Sequence, residues 1–143
     1  MGRGLAVLTV AGLTLAGAIA GCGDGHTFSA SEFVNRINAE GVTVQLGQRL
    51  PTGGGADQLY AIRLPPLPGE SPPPPGSEGG PGASGTLYVY GDSGGAADKL
   101  DACRAAGGLG CFRASNVVVV LNEESGPLEA RRLAVAIRRL GES

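Results

Sequence analysis

Apolar residues at helical spacing mark a first helix soon after residue 27. Three of them form its buried stripe: Phe33, Val34 and Ile37. Ser29 is placed to cap this helix, and Glu32, three residues later, completes a capping box, in which each side chain bonds the other residue's backbone N–H. Phe28, just before the cap, suits a hydrophobic staple onto the first turn. We predict a helix that runs to Glu40 and ends at Gly41, since glycine accepts the left-handed conformation of a helix end.

Four further apolar runs have the length and pattern of β-strands. They are residues 42–46, 59–64, 86–90 and 117–121. In the first run apolar and polar residues alternate, which is typical of a half-buried strand, and a Pro- and Gly-containing loop joins it to the second run as a hairpin. The last run is apolar throughout, which favours a strand that is buried on both faces of a sheet.

Two more helices follow the third strand. Residues 96–106 predict a helix with Leu100 and Cys103 turned inward. The last helix is predicted to begin at Pro127, because proline suits the first helical position, and to end at Gly141. Its inward face has apolar residues at positions i, i+4 and i+7: Leu133, Ile137 and Leu140.

The resulting element order is αββ, a Pro- and Gly-rich insert, then βαβα. It predicts a small α+β single domain over residues 28–143, with about four strands in a mixed sheet and three helices on one or both faces. The segment from Thr86 to Leu121 is long enough for a right-handed parallel crossover. The insert, residues 65–85, has too few apolar residues to order itself, so we expect a disordered surface loop rather than a Pro-rich recognition motif.

The N-terminal region has the parts of a secretory signal. Arg3 supplies a charge, and residues 5–20 form an uncharged apolar run of sixteen residues. This run is shorter than the ~20 residues that a membrane-spanning helix needs. The residues at the end of this run, Ile19-Ala20-Gly21-Cys22, resemble a bacterial lipobox. The resemblance implies that Cys22 is diacylated and becomes the first residue after cleavage.

The number of cysteines favours lipidation over plain secretion. Ala18-Ile19-Ala20 also fits an ordinary cleavage site, but release there would leave an odd thiol in an oxidising compartment. With Cys22 lipidated, Cys103 and Cys111 remain as a pair. We predict a structural disulfide that stabilises the fold by roughly 2.5 kcal/mol; free buried thiols and a redox-active pair stay open. The predicted N-terminal parts are a signal peptide, residues 1–21, and a tether, residues 22–27.

Composition limits the classes of binding partner that we expect for the chain after signal cleavage. Without residues 1–21 the net charge is about −3, so we expect no nucleic-acid partner. The chain has no Trp and few other aromatic residues, which disfavours large aromatic ligand sites. Ten Arg against one Lys, with abundant Gly and Ala, is typical of a GC-rich genome and resembles small actinobacterial lipoproteins. No cofactor is implied, and Asp24 with His26 is too small a set for a metal site.

The segment Gly91-Asp92-Ser93-Gly94-Gly95 resembles the nucleophile segment of trypsin-like serine proteases and the nucleophile elbow of α/β-hydrolases. Both mechanisms need a histidine that takes the serine proton, and the single histidine, His26, lies in the tether. Lys99 follows the serine by six residues, where a helix would turn it elsewhere. We therefore predict no catalytic residue and expect Asp92 or Ser93 to cap the following helix.

The last helix carries two pairs of arginines, seven residues apart: Arg131, Arg132, Arg138 and Arg139. Their spacing places them on the solvent side as a basic face, and cations near a helix C-terminus also interact favourably with the helix dipole. This face is the candidate binding site for an anionic lipid surface or an acidic envelope protein. A merely solvated face is the alternative.

Together these patterns predict a non-enzymatic lipoprotein that Cys22 anchors to the extracytoplasmic face of the cell membrane. It would bind an envelope protein, an envelope polymer or a small ligand. A small serine hydrolase that uses Ser93 and a purely structural envelope component are the two alternatives.

Overall fold

The computed structural model describes residues 26–65, 83–108, 110–123, 125 and 127–142. Within these ranges the chain forms a small α+β domain with three helices and one open antiparallel sheet of five strands. The predicted signal segment 1–21, the lipidation residue Cys22 and most of the predicted insert, residues 66–82, lie outside the described residues.

Helices and strands follow one another in an order close to the predicted one. The helices are α1, Ala30–Ala39; α2, Ser93–Ala105; and α3, Pro127–Glu142. The strands are β1, Gln45–Leu50; β2, Gln58–Arg63; β3, Gly85–Val89; β4, Cys111–Ala114; and β5, Val117–Leu121. The sheet order is β1-β2-β3-β5-β4, and each neighbouring pair is antiparallel.

The predicted four-stranded mixed sheet is wrong in its strand count and in one direction, because the prediction lacks β4. This strand has only four residues, too few for an alternating pattern to stand out. It turns back into β5 at Ser115 and Asn116, so β5 runs antiparallel to β3, with Val89 opposite Val117. The parallel crossover predicted between β3 and β5 is therefore wrong. Helix α2 instead connects β3 to β4, which are parallel to each other with β5 between them.

The first strand lies three residues later than predicted. Val42 and Val44 are buried as their alternation indicates, but they precede β1. The amide of Asn38 pairs with the backbone of Val44: its Oδ1 accepts from Val44 N at 2.7 Å, and its Nδ2 donates to Val44 O at 3.1 Å. The alternation therefore predicts correctly which residues are buried. It does not predict where the strand begins, because Val44 pairs with the Asn38 side chain and not with a neighbouring strand. The predicted hairpin of β1 with β2 is confirmed.

Helix α1 confirms most of its predicted features. The Ser29 hydroxyl accepts from Glu32 N at 3.3 Å, Gly41 has a φ of +88°, and the rings of Phe28 and Phe33 lie 6.2 Å apart. The reciprocal half of the capping box is replaced by another contact. The Glu32 carboxylate lies 2.9 Å from Nε2 of His26, in the segment that leads to the N-terminus.

The predicted insert ends earlier than residue 85. Ala83 and Ser84 are almost fully buried, and Gly85 begins β3. Ser84 bonds the end of β2 twice: its backbone N–H donates to Ile62 O at 2.8 Å, and its hydroxyl accepts from Leu64 N at 2.9 Å. These bonds order a small, polar stretch that composition alone assigned to the loop.

Apolar side chains leave the sheet on both faces. Among the described residues, one face packs against α1 and α3 in a cluster of eighteen buried residues, whereas the other packs against α2 in a cluster of five. Successive residues of β5 alternate between the two clusters, with Val117 and Val119 in the large one and Val118 in the small one. The prediction that this strand is buried on both faces is therefore confirmed.

Asn116, in the turn between β4 and β5, holds three segments together at one end of the sheet. Its side chain is 2% exposed. Oδ1 accepts from Phe28 N at 2.7 Å, and Nδ2 donates to Phe28 O at 3.1 Å and to Tyr90 O at 2.7 Å. The segment before α1 is thereby fixed beside the end of β3, so the path from the N-terminus enters the domain at this end.

Candidate functional site

The protease-like segment serves as the start of α2. Asp92 is the N-cap: its Oδ1 accepts from Gly95 N at 2.9 Å, and the helix begins at Ser93, three residues before the predicted start. The Ser93 carbonyl accepts from Arg113 Nη1 at 3.4 Å. Of the two predicted caps, Asp92 is the one that the structure shows.

The two side chains considered as bases for Ser93 have other contacts. His26 lies 2.9 Å from the Glu32 carboxylate, and its ring meets the edge of Phe28 with the centroids 4.7 Å apart. Lys99 Nζ lies over the Tyr88 ring, 4.2 Å from its centroid. Neither geometry gives Ser93 a partner that could accept its proton.

The predicted disulfide between Cys103 and Cys111 is confirmed. It links the last turn of α2 to the first residue of β4, with the Cα atoms 6.2 Å apart. Gly108 packs against the bridge so closely that a Cβ there would lie 2.6 Å from Cys111 Sγ and 2.9 Å from Cys103 O. The bridge therefore links α2 to the edge strand of the sheet, and the close packing around it requires a glycine at position 108.

The four arginines of α3 are all exposed, but they do not form one uniform patch. Arg139 is placed beside α1, with its Nη1 3.4 Å from the Glu40 carboxylate. Arg131 and Arg132 line a shallow hollow of about 330 Å³ next to Gly41 and Val42. Arg138 lines a different hollow, on the side of α3 that faces β4.

Two large apolar side chains share the solvent side of α3 with the arginines. Leu128 is 52% exposed and Val135 is 48% exposed. They are seven residues apart, as are the arginine pairs, so apolar and cationic groups alternate along one side of the helix. Sequence analysis missed them, although the same periodicity that places the core residues also places these two residues on the opposite side.

The hollow beside Arg138 runs along the outer side of β4 and has a volume of about 600 Å³. It lies between the C-terminal end of α2 and the middle of α3. Three cations border it: Arg104, Arg113 and Arg138. Phe112 and Ile137 form its apolar wall. Only Arg138 was among the predicted site residues, because Arg104 and Arg113 come from two other elements and converge through the fold.

A more apolar hollow of about 520 Å³ lies on the other side of the disulfide loop, near Val120, Pro127 and Ala130. Two of its polar side chains, those of Asn122 and Ser125, already have structural partners. Asn122 Nδ2 donates to Ala83 O at 3.0 Å, and the Ser125 hydroxyl donates to Ser84 O at 2.7 Å. These bonds tie the loop after β5 to the start of β3, so they explain the fold rather than a ligand.

Within the described ranges, no three His, Cys, Asp or Glu side chains are grouped as ligands for a metal ion. In that same part of the chain no helix is both long and apolar enough to cross a membrane. Comparison with protein families, with curated proteins and with solved structures finds no match for this chain.

Proposed function

We propose that the protein is an exported lipoprotein, anchored to the membrane through Cys22, whose domain makes non-catalytic contacts at the membrane surface. The signal-like N-terminus and the lipobox resemblance support the anchor. The observation that carries the contact function is the outer side of α3, where exposed Leu128 and Val135 stand among arginines.

This outer side of α3 combines the two groups that an anionic bilayer surface binds. Guanidinium groups pair with phosphate, and basic residues near an anionic surface contribute about 1 kcal/mol each. Exposed leucine and valine side chains can enter the boundary between headgroups and acyl chains, as on other interfacial helices. A lipid anchor would hold the domain close to that surface.

The anchor is tested by Cys22→Ser. The wild-type chain is expected in the detergent phase after phase partition and to incorporate a fatty-acid analogue, whereas the variant is not labelled, because it has no thiol to acylate. Two acyl chains are needed for firm binding, at about 0.8 kcal/mol per buried CH₂. Labelling of the Cys22→Ser chain would contradict the anchor.

The surface contact is tested with the full chain and vesicles of neutral or anionic phospholipid. The N-terminal region contributes to binding of both vesicle types. The gain in binding from neutral to anionic vesicles therefore isolates the contribution of the basic face. Replacing Arg131 and Arg132 with Gln is expected to reduce that gain by about thirtyfold. Arg36→Gln with Arg49→Gln is the matched control, because it removes the same charge from other exposed sites. An equal loss in both pairs would contradict a specific face.

The apolar part of the contact has its own test. Leu128→Ser with Val135→Ser should weaken binding to anionic vesicles while leaving the melting temperature nearly unchanged, because both side chains are about half exposed. Unchanged vesicle binding would leave only a solvated basic face and contradict the interfacial contact.

A further inference from the structure

In the part of the chain that the structure describes, β4 is the last strand on its side of the sheet, and its outer side borders the 600 Å³ hollow. The Leu121 N–H donates to Gly110 O at 2.8 Å, which fixes the alternation of the ladder between β4 and β5. In an antiparallel ladder, alternate residues direct their N–H and C=O groups to opposite sides. The backbone groups of Cys111 and Arg113 therefore point away from β5, into the hollow.

The charges around this edge have one sign. Arg104 approaches it from α2, Arg113 from β4 itself, and Arg138 from α3. Among the described residues that line the hollow there is no carboxylate. The mature chain carries a net negative charge, so this concentration of arginines runs against its overall balance. An anionic group is the complement of such a site.

The walls differ on the two sides of the strand. Cys111 and Arg113 lie on the α2 side of the sheet, where Arg104 also stands, whereas Phe112 and Ile137 form an apolar wall on the α3 side. An extended chain directs alternate side chains to opposite faces. Acidic side chains would meet Arg104 and Arg113 on the α2 face, and apolar side chains would meet Phe112 and Ile137 on the α3 face.

We propose that the 600 Å³ hollow, which forms a groove along β4, binds an acidic, extended peptide segment of a partner protein. The segment adds to the sheet as a further strand. Backbone bonds to Cys111 and Arg113 hold the segment, and Arg104, on the α2 side, selects its carboxylates. This mode of recognition obtains affinity from the main chain and specificity from alternate side chains. The site is separate from the outer side of α3, since Arg104 and Arg113 belong to the groove and Arg131 and Arg132 do not.

The test uses the full chain in neutral detergent and a fluorescein-labelled, end-capped peptide of eight alternating Glu and Val residues, followed by fluorescence anisotropy. Saturable binding is expected, with little binding of the equivalent Lys and Val peptide. Arg104→Gln should weaken binding by about tenfold, the loss expected for one charge-assisted hydrogen bond. Arg131→Gln with Arg132→Gln is the matched control and should leave binding unchanged.

Strand addition is separated from simple charge attraction by N-methylation. One peptide is methylated at its glutamate nitrogens and another at its valine nitrogens. Only alternate residues of a strand face one edge, so one of the two peptides should lose binding and the other should keep it. Equal binding of both methylated peptides, an equal loss in Arg104→Gln and in the control pair, or competition by glutarate or inorganic phosphate at the peptide's own affinity would each overturn the proposal. Circular dichroism of the variants, whose replaced side chains are exposed, verifies that they are folded.

Discussion

The two faces of the sheet are held in different ways. On one face, eighteen of the described residues are buried and join α1, α3 and the strands in a continuous cluster. On the other face, the described cluster has five buried residues, and Ala96 is the one fully buried side chain of α2. Helix α2 is fastened to the sheet at separate points instead: the bond from Arg113 to the Ser93 carbonyl, the contact of Lys99 with Tyr88, and the bridge through Cys103.

The difference indicates that a face with little apolar area depends on local bonds. Burial stabilises roughly in proportion to the apolar area removed from water, so the large cluster holds α1 and α3 without a covalent link. Helix α2 has half-buried Leu100 and Cys103 where the sequence predicts inward residues. The disulfide compensates for this weak packing, and it also sets the distance between α2 and β4 that forms the groove.

The largest expected effect is a cavity in the large cluster. Leu133 is fully buried, so Leu133→Ala should lower the free energy of unfolding by about 2–5 kcal/mol. Leu100→Ala makes the same chemical change on half-buried α2 and should cost about 1 kcal/mol. Urea denaturation of the two variants measures the contrast. Equal costs would contradict the difference between the faces.

The next effect is loss of the bridge. Replacing both Cys103 and Cys111 with Ala should lower the free energy of unfolding by about 2.5 kcal/mol, because the unfolded chain gains the freedom of an opened loop. Ala102→Ser, an exposed change on the same helix, is the control and should leave stability nearly unchanged. A double variant as stable as the wild type would show that α2 does not depend on the bridge.

A smaller effect separates the cap from a nucleophile. Asp92→Ala should cost about 1 kcal/mol, whereas Ser93→Ala should cost only a few tenths, since the Asp92 carboxylate makes the capping bond. Ser93 should not react with a fluorophosphonate probe, because His26 and Lys99 contact other groups. Stoichiometric labelling of Ser93 would overturn the non-enzymatic proposal. A larger loss from Ser93→Ala than from Asp92→Ala would contradict the cap.

The smallest expected effect is the pH dependence of stability that comes from Tyr90, in the small cluster against α2. Burial, and secondarily the charge of Tyr88, raise the pKa of Tyr90 above its ordinary value near 10. The folded state disfavours the phenolate, so the contribution of Tyr90 is complete below the unfolded pKa and is lost as pH rises through the folded pKa. Melting temperatures from pH 9 to 11.5 should fall more steeply for the wild type than for Tyr90→Phe. Parallel curves would contradict this role.

Periodicity was sufficient for the elements with many apolar residues. The caps and ends of α1, the inward residues of α3 and the buried strand β5 follow from spacing and from residue types with strong backbone preferences. The cysteine count pointed to the bond between Cys103 and Cys111, which the structure contains. These features depend on local pattern or on a very small number of pairing choices.

The remaining features depend on contacts between distant residues. Asn116 bonds Phe28, eighty-eight positions away, and Asn38 replaces a strand where alternation alone predicted one. Strand β4 is too short for its pattern to be recognised in the sequence, so the predicted direction of β5 relative to β3 was wrong. The groove is bordered by Arg104 and Arg138 from two separate helices, and sequence spacing cannot bring them together.

Hydrogen exchange on the full chain, with the disulfide intact and after its reduction, tests the difference between the faces most directly. We expect reduction to remove protection from the amides of α2 and β4, while those of α1, α3 and β5 keep theirs. Local opening of a weakly packed unit produces such a pattern. Uniform loss across all elements, or unchanged protection in α2, would contradict the claim that the bridge holds one face and burial holds the other.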